Sequence, residues 1–378
     1  MPMRLVLIGD AQSPHLLKWA RALNASAGVE LWVASSRGFL SGFDGLLPPN
    51  RRLALGFDSV HGGGNIGLLK TLPALATWLK AVDADWLHAH YLTSHGTLAW
   101  LAKRWWRLRG QLVGSAWGSD ILVSAEKSWL YRALTRRVLR ACRLCTSDSH
   151  HMAERMRALG AREVMTFPFG LGAMPPEPPR KDPWLFFSNR GLEALYRPDR
   201  VLALFAQLAR ARPQARLVVA NDGSLAAELP QQARALGLTV GPVDQGQQVE
   251  FTGRLSADAQ AAWYARAQWW LSLPQSDSVA VSLLEAMAHG CIPLLSDLPA
   301  NREWVRSGDN GLIVADAALA YVSRKDSPTP ALNPAALDAL LARAGAIAAD
   351  NRAQVARDGL FAPVVARFLA RLQELSAP

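Results

Sequence analysis

Two carboxylates eight residues apart, Asp277 and Glu285, offer the clearest chemistry in this sequence. Asp277 stands in a polar loop, Gln275-Ser-Asp-Ser278, between an apolar run at 269–273 and a helix expected from about 279 to 289. Glu285 then falls two turns into that helix. At 1.5 Å of rise per residue the pair is about 12 Å apart at most, too far to act on one bond and suited to the two ends of an extended ligand. Ser278 and Val279 open the helix, where free N–H groups and the positive end of the dipole favour phosphate. Taken alone, such a pair reads more readily as a helix-capping acid and an exposed helix residue.

The surrounding string argues for a site: Leu283-Leu-Glu-Ala-Met-Ala288, then Gly290 and Ile292-Pro293. It resembles the signature of the large retaining glycosyltransferase family of group 1, family 4 type, which includes glycogen-synthase-like, sucrose-synthase-like and mannosyltransferase enzymes. That family has Glu at both acidic positions, so Asp277 reaches one methylene less. The resemblance implies that Glu285 binds the ribose of a nucleotide-sugar and that Asp277 contacts the donor sugar. Phe187-Ser-Asn-Arg190 resembles the start of the family's donor domain, which makes Arg190 the diphosphate-binding arginine; Arg197 is the base nearest the usual second cation. Paired cations suit a diphosphate leaving group, because negative charge builds on it as the glycosyl bond breaks. Gly223, Gly253 and Arg254 match the loops that face the nucleotide. In the first half, the loop from Gly9 to His15 resembles the one approaching donor phosphate or acceptor. Ser115-Ala-Trp-Gly-Ser-Asp120 resembles the family's His-Gly-x-Asp segment, with Gly118 and Asp120 matching and Trp117 replacing the histidine that orients the sugar. His15 and His90 are the histidines placed to substitute for it.

The resemblance implies an α/β chain of GT-B type, two Rossmann-like domains facing across a cleft, and the elements that must position these residues agree. Short apolar runs at 4–9, 29–34, 85–90, 111–115, 143–147 and 163–167 read as buried parallel strands separated by helical segments. A stretch with five prolines, 174–183, interrupts the pattern. Strands then resume at 184–188, 215–220, 249–252, 269–273, 292–296 and 311–314. The expected domains are therefore an acceptor-side domain at 1–172, a linker at 173–183, a nucleotide-sugar domain at 184–350, and a helical tail at 351–378 that can return to the first domain.

Composition sets further bounds. Half of the 378 residues are apolar, enough for two cores. The start of the chain lacks the long apolar core of a signal peptide, and no run approaches a membrane span, so a cytoplasmic location is expected. Three cysteines suggest no disulfide framework. Residues 1–180 hold 22 Lys and Arg against 12 Asp and Glu, whereas residues 181–378 hold 19 of each. An anionic partner is thus expected for the first half alone. Lys103, Arg104, Trp105, Trp106 and Arg107, with the arginine-rich 127–143, fit either a solvated basic face or peripheral contact with the anionic inner face of a membrane. No base-reading motif accompanies them, so nucleic acid is not expected.

Gly62-Gly-Gly-Asn-Ile-Gly67 satisfies a dinucleotide fingerprint but follows no clear strand and reads as a loop. His88, His90 and His95 lack a carboxylate or cysteine to complete a metal set, so no metal and no cofactor is expected; arginines supply the positive charge. The expected function is retaining transfer from a nucleotide-diphosphate sugar to a glycan or lipid-linked acceptor, in cell-surface polysaccharide or glycolipid synthesis. Rival readings are an inverting GT-B transferase with His15 or His90 as base, a nucleotide-sugar epimerase, and a non-catalytic nucleotide-sugar binder.

Overall fold

The computed structural model describes residues 2–57, 65–315 and 333–377. Gly62, Gly63 and Gly64 of the fingerprint-like stretch lie outside the described residues. The chain divides into two compact units, Met1–Phe169 with Phe361–Pro378, and Gly170–Leu360.

In the first unit seven strands form one parallel sheet: β1 (Met3–Gly9), β2 (Val29–Ser35), β3 (Arg52–Ala54), β4 (Trp86–His90), β5 (Gln111–Ser115), β6 (Leu144–Ser147) and β7 (Val164–Thr166). Their order is β3-β2-β1-β4-β5-β6-β7. The second unit repeats the plan with β8 (Asp182–Ser188), β9 (Arg216–Ala220), β10 (Val249–Gly253), β11 (Ala267–Ser272), β12 (Ile292–Ser296) and β13 (Leu312–Val314), in the order β10-β9-β8-β11-β12-β13. Each sheet reverses direction once, between β1 and β4 and between β8 and β11. Loops leaving the carboxyl ends of strands beside such a reversal diverge and leave a crevice, the usual ligand position in open parallel sheets. In register, Ile8 lies beside Ala89 and Phe187 beside Trp270, so the loops after β1 and β4, and after β8 and β11, start level with each other.

The strands are apolar on both faces because helices cover both faces. In the second unit, Phe186, Trp269 and Phe205 pack on one side, while Phe187, Trp270 and Tyr264 pack on the other. In the first, Leu5, Leu7 and Trp86 face a layer built from Trp19, Phe361 and Phe368.

Three boundaries differ from the sequence reading. β3, a three-residue edge strand containing Arg52, has too little apolar signal to be seen in advance. β8 begins at Asp182, inside the stretch read as linker; Pro183 fits there because its carbonyl, which accepts the Trp269 indole N–H at 2.9 Å, is the group in use. The tail is two helices rather than one. Ala344–Asp358 stays with the second unit, where Asn351 and Asn310 exchange side-chain and backbone hydrogen bonds of 2.9 and 3.1 Å. After Gly359 the chain restarts as Phe361–Ser376, which belongs to the first unit and buries Phe361, Val364, Val365, Phe368 and Leu372 there. No helix among the described residues is long and apolar enough to cross a membrane.

Candidate active site

The candidate donor residues stand at and beyond the carboxyl ends of β8, β9, β10 and β11. Arg190 leaves β8 and lays its guanidinium against Asp277, Nη2 to Oδ2 at 2.6 Å, while Nη1 donates to Ser282 Oγ at 3.2 Å. The ring of Tyr196 lies 4.5 Å from its Cζ. Both partners are shielded, 17% and 19% exposed, so this pair is screened far less than a surface salt bridge. Arg190 Nε is buried and has no hydrogen-bond partner among the described residues. Burial pushes the Asp277 carboxyl above its ordinary value, opposed by Arg190 and by the N–H of Ser278, which donates to Oδ1 at 3.0 Å.

The helix Val281–Ala288 starts after Ala280, two residues later than the sequence suggests. Ser278 and Val279 thus belong to the buried approach to it rather than to its first turn. Glu285, on this helix, accepts from the Tyr264 hydroxyl at 3.1 Å. Tyr264 is 1% exposed, wedged edge-on against Phe187 and stacked on His289. Its hydroxyl also accepts from Asn189 Nδ2 at 2.7 Å; Nδ2 donates as well to Gln260 Oε1 at 2.7 Å, and Asn189 Oδ1 accepts the Trp270 indole N–H at 2.9 Å. Burial and the nearby Glu285 hold the Tyr264 phenol well above its ordinary value, so it stays a neutral donor. Sequence reasoning passed over Tyr264, Asn189 and Ser282, and only the serine, five residues past Asp277, had a local signal.

The loops after β8 and β9 lock together. Leu192 donates to the Asp222 carbonyl at 3.0 Å, and Leu225 to the Leu192 carbonyl at 3.0 Å. Gly223 sits where a Cβ would lie 2.5 Å from the Leu192 carbonyl oxygen, so only glycine lets these backbones approach. Arg197 has φ +49° and turns its guanidinium onto Asp199, Nε to Oδ1 at 2.9 Å and Nη2 to Oδ2 at 2.7 Å. This places its charge at the start of the helix Pro198–Ala211. Gly253, with φ +67°, accepts from Asn221 N–H at 2.7 Å, and Arg254 beyond it is exposed.

In the first unit, Asp120 is fully buried and ties two loops together: Oδ2 accepts from Leu92 N–H at 2.8 Å and Oδ1 from Trp117 N–H at 3.0 Å. Burial pushes its carboxyl up to about 6, against the pull of those backbone donors. Gly118, with φ +104°, makes the turn between Trp117 and Asp120. The Trp117 indole N–H donates to His90 Nδ1 at 3.2 Å, so the ring hydrogen of His90 sits on Nε2. Burial, then the neighbouring histidines, hold His90 well below its ordinary value, and burial holds His88 down to about 3. His88 Nε2 is 2.6 Å from Ser115 Oγ. His15 packs against Trp117 and Phe169. His95 bonds to Ser36 and Ser94 instead of joining the other two histidines, and no three metal-ligating side chains converge among the described residues.

The basic segment is divided by the fold. Lys103 donates to the carbonyls of Leu108, Arg109 and Gly110 at 3.0, 3.2 and 2.7 Å, and Trp106 packs on the core. Arg104, Trp105 and Arg107 are exposed.

Residues 174–323 match the family described as glycosyl transferases group 1, and residues 4–149 match the one described as glycosyl transferase 4-like. Among curated proteins none matches the chain. Solved structures similar to it include Anabaena HepE in complex with UDP and glucose, at 14% identity and a TM-score of 0.72 over 100% of both chains. Sucrose-phosphate synthase from Thermosynechococcus elongatus is similar at 15% identity and 0.73, over 99% of each chain. The lipopolysaccharide outer core galactosyltransferase WaaB, in its apo form, gives 17% and 0.59 over 95% of this chain and 100% of its own. With both units matched and the fold shared, the chain belongs to the group 1 glycosyltransferases and has the GT-B fold.

Proposed function

We propose that this glycosyltransferase takes a nucleotide-diphosphate sugar as donor and transfers the sugar with retention of anomeric configuration to a glycan or lipid-linked acceptor of the cell surface. The observation that carries the reading is the second unit's arrangement of Arg190, Asp277 and Glu285. One helix and the loop before it set a shielded guanidinium with an unsatisfied Nε near one end and a tyrosine-oriented carboxylate further along. That suits a diphosphate at Arg190 and ribose hydroxyls at Glu285. HepE, which shares the fold, holds UDP, so uridine donors come first among those to test.

In the proposed reaction the bond from the anomeric carbon to the diphosphate oxygen breaks through an oxocarbenium-like state. Arg190 stabilises the charge that builds on the leaving group, and no metal is part of the reading. The acceptor hydroxyl attacks the face from which the diphosphate leaves, and the diphosphate takes its proton. Asp277 holds Arg190 in place and contacts the sugar. Arg197, paired with Asp199 as Arg190 is with Asp277, is the second cation of the reading. An inverting reaction with His90 as base is disfavoured, because the lone pair of Nδ1 already accepts the Trp117 indole N–H. Proton NMR of the first-formed product tests this: an anomeric coupling matching the donor supports retention, and the opposite coupling overturns it.

A further inference from the structure

The helix Trp129–Ala141 in the first unit presents a face that the fold itself does not use. Trp129 and Leu130 are 75% and 60% exposed. Among the described residues the other exposed large apolar side chains are Leu69 and Trp105, so all four lie in the first unit. Arg132, Arg136, Arg137 and Arg140 are exposed as well, while Thr135, Val138 and Leu139 are buried. At 3.6 residues per turn, the six exposed side chains cover about 160° of one side of the helix.

The helix contains no acid, and none of these four guanidinium groups has a carboxylate partner among the described residues. Other exposed arginines do find carboxylates: Arg109 pairs with Asp83 and Arg155 with Glu126 in the first unit, and Arg266 with Asp244, Arg302 with Asp297 and Arg357 with Asp358 in the second. Helix stability does not explain the stripe either, since Arg132 stands in the first turn, where the helix dipole disfavours a cation.

We propose that this face docks on an anionic phospholipid bilayer, with Trp129 and Leu130 entering the headgroup boundary and the four arginines binding lipid phosphates. Guanidinium groups fit phosphate bidentately, and an indole beside an aliphatic side chain fits the apolar layer beneath. Nucleic acid would match the charge but offers nothing to Leu130. Of the two basic segments expected to make such a contact, 103–107 has Lys103 and Trp106 engaged internally, while 127–143 contains the helix that carries the exposed face. The inference stands apart from the transfer reaction.

The test is co-sedimentation of the full chain with vesicles of phosphatidylcholine alone or mixed equally with phosphatidylglycerol. Binding is expected only to the mixed vesicles and weakens with salt. At about fivefold per arginine near an anionic surface, the variant Arg132→Gln, Arg136→Gln, Arg137→Gln, Arg140→Gln loses at least about a hundredfold in partitioning. Trp129→Ser with Leu130→Ser weakens binding but keeps its salt dependence. Both variants melt as the wild type does, because the altered side chains are exposed. Failure to bind mixed vesicles at low salt, or equal binding by the arginine variant, overturns the proposal. So does duplex DNA binding that survives physiological salt while vesicles are ignored. Donor-induced thermal shifts in the same samples read the nucleotide-sugar site separately.

Discussion

Tyr264→Phe isolates one hydroxyl at the centre of the proposed donor site. Phenylalanine keeps the edge contact with Phe187 and the stack on His289, so no cavity larger than an oxygen atom opens. Three contacts go: the donation to Glu285 at 3.1 Å, the approach to the Ser282 carbonyl at 3.3 Å, and the acceptance from Asn189 at 2.7 Å. Asn189, 7% exposed, keeps Gln260 for one amide hydrogen and is left with the other unpaired. Stranding a buried donor and losing a bond to a charged group costs about 2 kcal/mol. For a unit the size of Gly170–Leu360 this is a fall in Tm of about 4–8 °C. Glu285 loses a donor that fixes its rotamer, so the proposed ribose contact weakens by about 1 kcal/mol, roughly fivefold in donor KM. That contact is present in ground and transition states alike, so kcat changes little. Calorimetry and donor-varied initial rates measure both. A lowered Tm with unaltered donor KM would refute the claim that Tyr264 acts through Glu285 and leave it a packing residue.

Other consequences can be measured alongside. Gly223→Ala forces a Cβ to 2.5 Å from the Leu192 carbonyl; thermal melting should show a loss of about 1–3 kcal/mol, and donor affinity should fall with it. Trp117→Phe leaves His90 Nδ1 without its donor, and denaturant titration should find the first unit weaker by about 1–2 kcal/mol. Asp120 titrates near 6 when folded and near 3.8 when unfolded, so the folded state takes up its proton first and this contribution to stability rises as pH falls from 6 to 4. The destabilisation caused by Asp120→Asn therefore grows by about 2 kcal/mol between pH 7 and 4, read from melting at each pH. His88 acts in the opposite sense: protonated at 6.5 unfolded but only near 3 when folded, it lowers stability as pH falls through that window, and His88→Gln should flatten the acid limb.

Most strands were legible because they are buried on both faces: 184–188 and 269–273 read as unbroken apolar runs for the same reason that Phe186 stacks on Trp269. β3 was not, since a short edge strand needs no such run. The break before Phe361 lay in a single Gly359, indistinguishable in sequence from a tolerated glycine within an Ala- and Arg-rich helix. Asp277, Glu285 and Arg190 could be singled out because motif spacing is local. Their support could not: Tyr264 arrives from the helix Ala257–Arg266, and Asn189 reaches it through contacts 71 and 75 residues apart. Arg197 and Lys103 likewise have surroundings that motif spacing does not reveal. Each looked like an available cation, and each is held by near neighbours through a backbone geometry that composition does not encode, a left-handed turn for one and three converging carbonyls for the other.

The central claim is that Arg190 and Glu285 hold the diphosphate and ribose of a sugar nucleotide. Thermal stabilisation by UDP-, GDP-, ADP- and TDP-sugars, with the wild type, Glu285→Ala and Arg190→Ala in parallel, tests it most directly. A donor at a hundred times its Kd adds about 2.7 kcal/mol, or roughly 5–10 °C for a unit of this size. One nucleotide series should stabilise the wild type and neither variant. Stabilisation that survives in both variants, or none by any of the four series, would contradict the account.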